Sequence, residues 1–189
     1  LRSPRTAKAW RSLLLSVLPQ PPANVVDLGC GTGSLTCLLA EQGFAVHGVD
    51  FSTAMVEAAR HKAAEREVSA TFDVGDAFEP PLPDHAFDAV LVRHVLWLSP
   101  DPAGTIARWT RLLRPHGVVL LIEGFWHTGS GLRAAEVAKL AAQCLELVTT
   151  EALTDDALWG GPIRDERYLV VGRRPLLSRA AARADRRRR

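Results

Sequence analysis

The sequence is poor in cysteine, lysine and tyrosine, and it contains no long apolar run. Its three cysteines, Cys30, Cys37 and Cys144, are odd in number, form no Cys-x-x-Cys pair and have no nearby histidine at ligand spacing. Neither a disulfide framework nor a zinc site is indicated, and each cysteine reads as a small apolar residue. No apolar stretch approaches the length of a membrane span, the longest near the start covering residues 13–18. The expectation is a soluble protein without membrane association. The glycine-rich segment 29–33 lacks the Gly-Lys-Ser/Thr ending of a P-loop, and Ser34 stands where the third glycine of Gly-x-Gly-x-x-Gly would fall.

At 189 residues, 47% apolar, the chain is long enough for one domain with a substantial core. The net charge of +2 hides an asymmetry: residues 173–189 hold eight arginines and one acid, which leaves the rest of the chain acidic. No aromatic residues interleave with those arginines, so the segment reads as a solvated, disordered basic tail rather than a nucleic-acid arm. The expected organisation is an N-terminal helix or lid segment at 1–22, one domain at 23–174 and the tail at 175–189.

Apolar runs and helical periods alternate along the domain. A leading helix at 5–18 is stopped by Pro19, Pro21 and Pro22. Strands are expected at 25–28, 45–49, 70–74, 88–92 and 118–122, with helices at 34–42, from Ser52 as N-cap to about Arg66, and beyond Pro102. That last helix carries Ile106, Trp109 and Leu113 on one face. A further helix spans 132–144, strands follow near 145–151 and 168–172, and residues 153–167 between them show no strong helical period. The alternation implies an α/β fold, a doubly wound Rossmann-like sheet with helices on both faces.

The most informative segment is 25–33, VVDLGCGTG: a short apolar run, a carboxylate and three alternating glycines, followed by Leu35, Leu38 and Leu39 at helical spacing. It reads as strand, tight loop and helix, the opening of a nucleotide-binding βαβ unit. Asp27 narrows the ligand. Phosphates at that helix N-terminus would be repelled by it, whereas the α-ammonium and sulfonium of S-adenosylmethionine suit it.

Five motifs in order, DLGCGTG at 27–33, VHGVDFS at 46–52, GDA at 75–77, FDAVL at 87–91 and LRPHG at 113–117, resemble the class I S-adenosylmethionine-dependent methyltransferases. The likeness is to their small-molecule branch, related to the ubiquinone and menaquinone methyltransferases, and it covers about residues 24–173. It implies a seven-stranded, mostly parallel sheet with an antiparallel last strand, and a cytoplasmic setting where the cofactor is made. By resemblance, Asp27 receives the methionine ammonium, with helix N-capping as a compatible alternative. Gly29, Cys30, Gly31 and Gly33 face the methionine and ribose portions. Asp50 accepts from the ribose hydroxyls, Phe51 lies along adenine, and Asp76 with the Ala77 backbone and Phe78 surrounds the base. Arg93 joins the cofactor set at the pocket entrance.

On the acceptor side, His94 is the candidate general base, its ordinary pKa near 6.5 suiting proton removal around neutrality, with packing on the cofactor as the alternative. Trp97, Phe125, Trp126 and Trp159 are expected to line an apolar pocket for a flat acceptor. Trp109 has core spacing, and Trp10 belongs to the N-terminal segment. Strand four is followed by Arg-His, not by the Asn/Asp-Pro-Pro-Tyr/Phe of base amino methylation or the carboxylate of the metal-dependent catechol branch, and no Pro-Cys nucleophile occurs. The expected function is metal-independent methylation of an O, N or C atom of a small metabolite, with secondary metabolism as a setting, by a monomer or homodimer. The competing readings are a non-catalytic S-adenosylmethionine-binding module acting with a partner protein, and a nicotinamide-dependent dehydrogenase, which Asp27, Ser34 and the lack of a Tyr-x-x-x-Lys pair disfavour.

Overall fold

The computed structural model describes residues 3–176. Most of the expected basic tail, from residue 177 on, lies outside the described residues. Ser3 caps the first helix, α1 (Pro4–Val17), by accepting from the Thr6 amide, and Pro4 stands in the first turn, where its missing N–H breaks no bond. β1 (Asn24–Leu28) leads through the glycine loop into α2 (Ser34–Ala40). β2 (Ala45–Asp50) leads into α3 (Thr53–Glu65), whose N-cap is Ser52, with its side chain accepting from the Met55 amide. β3 (Ala70–Val74) and β4 (Phe87–Arg93) follow, and a 3-10 turn, Leu96–Leu98, comes soon after β4. The order closes with α4 (Pro102–Leu112), β5 (Leu113–Phe125), α5 (Ala134–Ala141), β6 (Glu146–Ala152), α6 (Asp156–Trp159) and β7 (Glu166–Arg173).

Within these residues seven strands form one sheet in the order β3-β2-β1-β4-β5-β7-β6. The pairs from β3 to β5 are parallel, and β7 is antiparallel to both of its neighbours. This is the doubly wound sheet with an antiparallel last strand. Central strands are apolar on both faces because both faces are covered. Val25, Leu91 and Leu120 pack with Trp10 and Leu14 of α1 and Leu38 of α2. Their alternates Val26, Val90 and Val119 pack with Ile106 and Trp109 of α4 and Val137 of α5. The strand order reverses between β1 and β4, and an open crevice forms at their carboxyl ends.

Elements differ from the sequence expectation in several places: α2 ends at Ala40, β5 extends over Leu113–Phe125, and three further differences have a local cause. Leu113 is not on the helix with Ile106 and Trp109. It is extended, at φ −74° and ψ 142°, and pairs with Phe87 as the first residue of β5. Pro115 disfavours helix for the residue before it, so the helix closes early. Residues 153–167 contain α6, a single turn capped by Asp155 and ended by Gly160 in the left-handed region, too short to show a period. The helix expected over 132–144 is the shorter α5, because Arg133 is still extended and serves as its N-cap.

Candidate cofactor and active site

The loop after β1 is held in one shape from several sides. Gly29 has φ +72°, and a Cβ there would lie 2.3 Å from Val95 Cγ2, so both conformation and packing require glycine. Gly31, at φ +53°, has nothing within 4 Å of where a Cβ would stand. Its amide donates to Asp50 Oδ2 at 2.8 Å, while Asp50 Oδ1 accepts from the Ser52 amide at 3.0 Å. Lys62, reaching from α3, donates to the Thr32 carbonyl, to Thr32 Oγ1 at 2.8 Å and to Ser34 Oγ at 2.9 Å. Cys30 is a free thiol whose pKa burial raises, in keeping with a small apolar role.

Asp27, the penultimate residue of β1, is only 3% exposed. It does not cap α2, whose N-cap is Gly33 without a side-chain bond. Its Oδ2 instead accepts from Thr36 Oγ1, one turn into the helix, at 2.6 Å. Burial pushes its carboxyl up to about 6, against the opposing pull of Thr36 and Arg93. Burial also lowers the pKa of Arg93, with Asp27 opposing, and the Arg93 guanidinium sits 5.2 Å from the Trp10 ring centroid. Asp27, Gly31 and Arg93 line a recess of about 120 Å³. Gly29 and Arg93 also line a larger cleft of about 720 Å³, whose walls include Asp50, Phe51, Asp76, Ala77, His94 and Leu98. Phe51 is 82% exposed there. Asp76 Oδ1 accepts from the Phe78 amide at 2.8 Å, and the Ala77 carbonyl accepts from the buried Trp109 indole at 2.7 Å.

His94 follows β4 with φ +61°, a conformation that non-glycine residues rarely adopt, and its amide donates to the Ile122 carbonyl at 2.9 Å. Its ring lies 5.6 Å from that of Trp126 and 5.8 Å from that of Trp159, and Trp97 lies 5.0 Å from Trp126. Arg167 lies over Trp126 and Trp159, anchored to Asp165 at 2.8 Å. Phe125 has a different neighbour: its ring carries the Arg133 guanidinium at 4.1 Å. His94 Nδ1 is buried without a hydrogen-bonding partner among the described residues. Burial, with Arg93 and Arg167 nearby, pushes its pKa down to about 3. A shift in that direction, away from the ordinary value near 6.5, keeps the ring neutral around neutrality.

Sequence reasoning missed Thr36, Lys62 and Arg167, and also Glu123, a fully buried carboxylate at the end of β5. Only Glu123 carried a visible signal, as the one charge within the apolar run 118–125.

The model of the methyltransferase domain family matches residues 26–121, just over half of the chain. The chain belongs to the class I S-adenosylmethionine-dependent methyltransferases. It is 38% identical over 111 residues to nocamycin O-methyltransferase of Saccharothrix syringae, a match covering 57% of this chain and 40% of that protein. It is 34% identical over 131 residues to demethylmenaquinone methyltransferase of Deinococcus radiodurans, covering 68% of this chain and 54% of that one. The chain therefore spans about half the length of the curated relatives it matches. Among solved structures, the [4+2]-cyclase SpnF superposes with a TM-score of 0.78 at 19% identity, covering 90% of this chain and 82% of that one. Phosphoethanolamine N-methyltransferase 2 of Haemonchus contortus, in complex with S-adenosyl-L-methionine, gives 0.75 at 18%, covering 89% and 53%. At those identities the superpositions speak for the fold of this methyltransferase domain.

Proposed function

We propose that the protein moves a methyl group from S-adenosylmethionine to an O, N or C atom of a small-molecule acceptor, without a metal ion. The observation that carries this reading is that the two cavities share a wall: Gly29 and Arg93 line both, so the Asp27 recess adjoins the cleft beside Asp50 and Asp76, and the reading has one ligand occupy both. Three carboxylates then meet the three donor-bearing parts of the cofactor. Asp27 takes the ammonium, Asp50 the ribose hydroxyls and Asp76 the adenine amine, with Phe51, Ala77 and Phe78 around the base. Gly29, Cys30, Gly31 and Gly33 supply backbone along the methionine and ribose. The 38% identity to nocamycin O-methyltransferase supports an acceptor of secondary metabolism.

The acceptor approaches from the His94 side, against Trp97 and Trp126, with Phe125 beyond them. Its lone pair forms the new bond to the methyl carbon as the carbon–sulfur bond breaks, and sulfur keeps the electron pair. Alignment on that axis and exclusion of water supply much of the rate. His94, neutral and with Nδ1 unpartnered among the described residues, receives the proton of a hydroxyl or amine acceptor. That transfer becomes easier once sulfur has lost its positive charge, because the sulfonium is a nearby cation that disfavours imidazolium. Titration calorimetry with S-adenosylmethionine and, separately, NAD tests the cofactor; binding of NAD alone would overturn the reading. Transfer of labelled methyl from the cofactor into a metabolite extract tests the reaction. His94→Ala is expected to lower that transfer about 10²-fold with little change in cofactor affinity. Undiminished transfer would remove the base role.

A further inference from the structure

The cofactor reading leaves one buried carboxylate without a task. Glu123 is 0% exposed, and its Oε2 has no hydrogen-bonding partner among the described residues. Its Oε1 accepts two backbone bonds, from the Val95 amide at 2.9 Å and the Leu96 amide at 2.7 Å. Those are the first two amides after His94, where the chain leaves β4 for the 3-10 turn Leu96–Leu98. Unpaired N–H groups at such a turn are costly when buried, and a carboxylate satisfies them better than a neutral acceptor.

The segment tied down in this way is a wall of the cofactor cleft. His94, Val95 and Leu98 all line that cleft, and Val95 Cγ2 fills the space against Gly29 that a Cβ would occupy. A shift of Val95 by a fraction of an ångström therefore moves the surface that meets the glycine loop. We propose that Glu123 is a positioning residue: by holding the Val95 and Leu96 amides it sets the wall of residues 94–98 over Gly29, and through it the affinity for the cofactor. The proposal rests on the reading that this cleft takes S-adenosylmethionine.

The charge of Glu123 makes the tie pH-dependent. Burial pushes its carboxyl up to about 7, with the two amides pulling the other way. The titratable side chain opposite it in register on β7 is Tyr168, whose hydroxyl is committed to the Leu132 carbonyl at 2.8 Å. On the tied segment itself the titratable group is His94, which stays neutral above its lowered pKa. Ionised Glu123 binds the amides more strongly than its acid form, and it also favours a cationic cofactor nearby, so both effects tighten binding as pH rises.

Two measurements on wild type, Glu123→Gln and Glu123→Leu test this. The first is amide hydrogen exchange at Val95 and Leu96 in the cofactor-free protein. Protection in wild type and Glu123→Gln and its loss in Glu123→Leu are expected, and unprotected wild-type amides would overturn the tie even if the cofactor reading stands. The second is the dissociation constant for S-adenosylmethionine between about pH 6 and 8.5. Glu123→Leu should bind roughly tenfold or more weakly. Glu123→Gln should lie within about threefold of wild type at the acid end and lack the tightening that wild type shows through about pH 7. Wild-type affinity in Glu123→Leu, or a wild-type pH profile in Glu123→Gln, would overturn the proposal, and the glutamine variant decides alone if the leucine variant does not fold. A wild-type protein with protected amides that binds no S-adenosylmethionine would instead overturn the cofactor reading.

Discussion

At the scale of single residues, the site is set by what burial does to charge. Asp27 and His94 are both pushed toward neutrality, from opposite directions. The consequence for Asp27 has a definite sign. Its folded carboxyl titrates near 6, above its ordinary value, so its contribution to stability is fully present in acid and is lost as pH rises through about 6. An ammonium group in the recess favours the carboxylate, so cofactor affinity runs the other way. S-adenosylmethionine binding is expected to weaken below about pH 6, approaching tenfold per pH unit, as it must compete with one proton. In Asp27→Asn the limb below about pH 6 should vanish, leaving the step near pH 7 that Glu123 accounts for, and the affinity at neutral pH should fall by roughly tenfold or more. Calorimetric titration from about pH 5 to 8 checks both, and a limb below about pH 6 that persists in Asp27→Asn would assign it to another group.

At the scale of elements, β1, β2 and β4 are largely apolar strands that reach a polar residue at or near the crevice, which is why that half of the molecule was readable. Asp27 and Asp50 were visible because each lies at the end of such a run, and Asp76 because it stands in the Gly-Asp-Ala motif after β3. Arg167 was not. It reaches the tryptophans only because β7 pairs antiparallel with β5, placing Arg167 opposite Gly124, and no local pattern encodes that register. The lowered pKa of His94 was equally hidden, since it depends on Arg93, Arg167 and burial together. The glycine loop offers a test at this scale, because two of its glycines serve different physical ends. Gly29→Ala adds a clash with Val95 to the cost of a left-handed alanine, while Gly31→Ala carries the conformational cost alone. The first should lose roughly 2 to 4 kcal/mol of stability and most cofactor binding. The second should lose about 1 kcal/mol, so its melting temperature falls by only about 2 to 4 °C. Equal losses in the two variants would mean that Val95 yields to a methyl group and does not fix the loop.

At the scale of the whole molecule, the two cores on either side of the sheet meet the site through different contacts. The α4 and α5 side supports it through Trp109, whose indole holds the Ala77 carbonyl of the cleft. The α1 side reaches it through Trp10, which is 1% exposed and joins three parts of the chain. Its Nε1 donates to the Leu158 carbonyl of α6 at 2.7 Å, its ring meets Trp159 edge-on at 5.4 Å, and Arg93 lies over it. The N-terminal helix is thus coupled to the Asp27 recess on one side and the tryptophan cluster on the other. Trp10→Ala removes a large buried ring and should destabilise the protein by about 3 to 5 kcal/mol. Trp10→Phe keeps a ring in the space but leaves the Leu158 carbonyl unpaired, for roughly 1 to 3 kcal/mol. Because Arg93 rests on that ring, the folded fraction of Trp10→Ala should also bind S-adenosylmethionine more weakly, whereas Trp10→Phe should stay near wild type. Thermal melting and cofactor titration on the same samples separate the two effects. If the folded Trp10→Ala protein bound the cofactor as wild type does, the Trp10–Arg93 contact would be packing alone, and α1 would support the fold without shaping the recess.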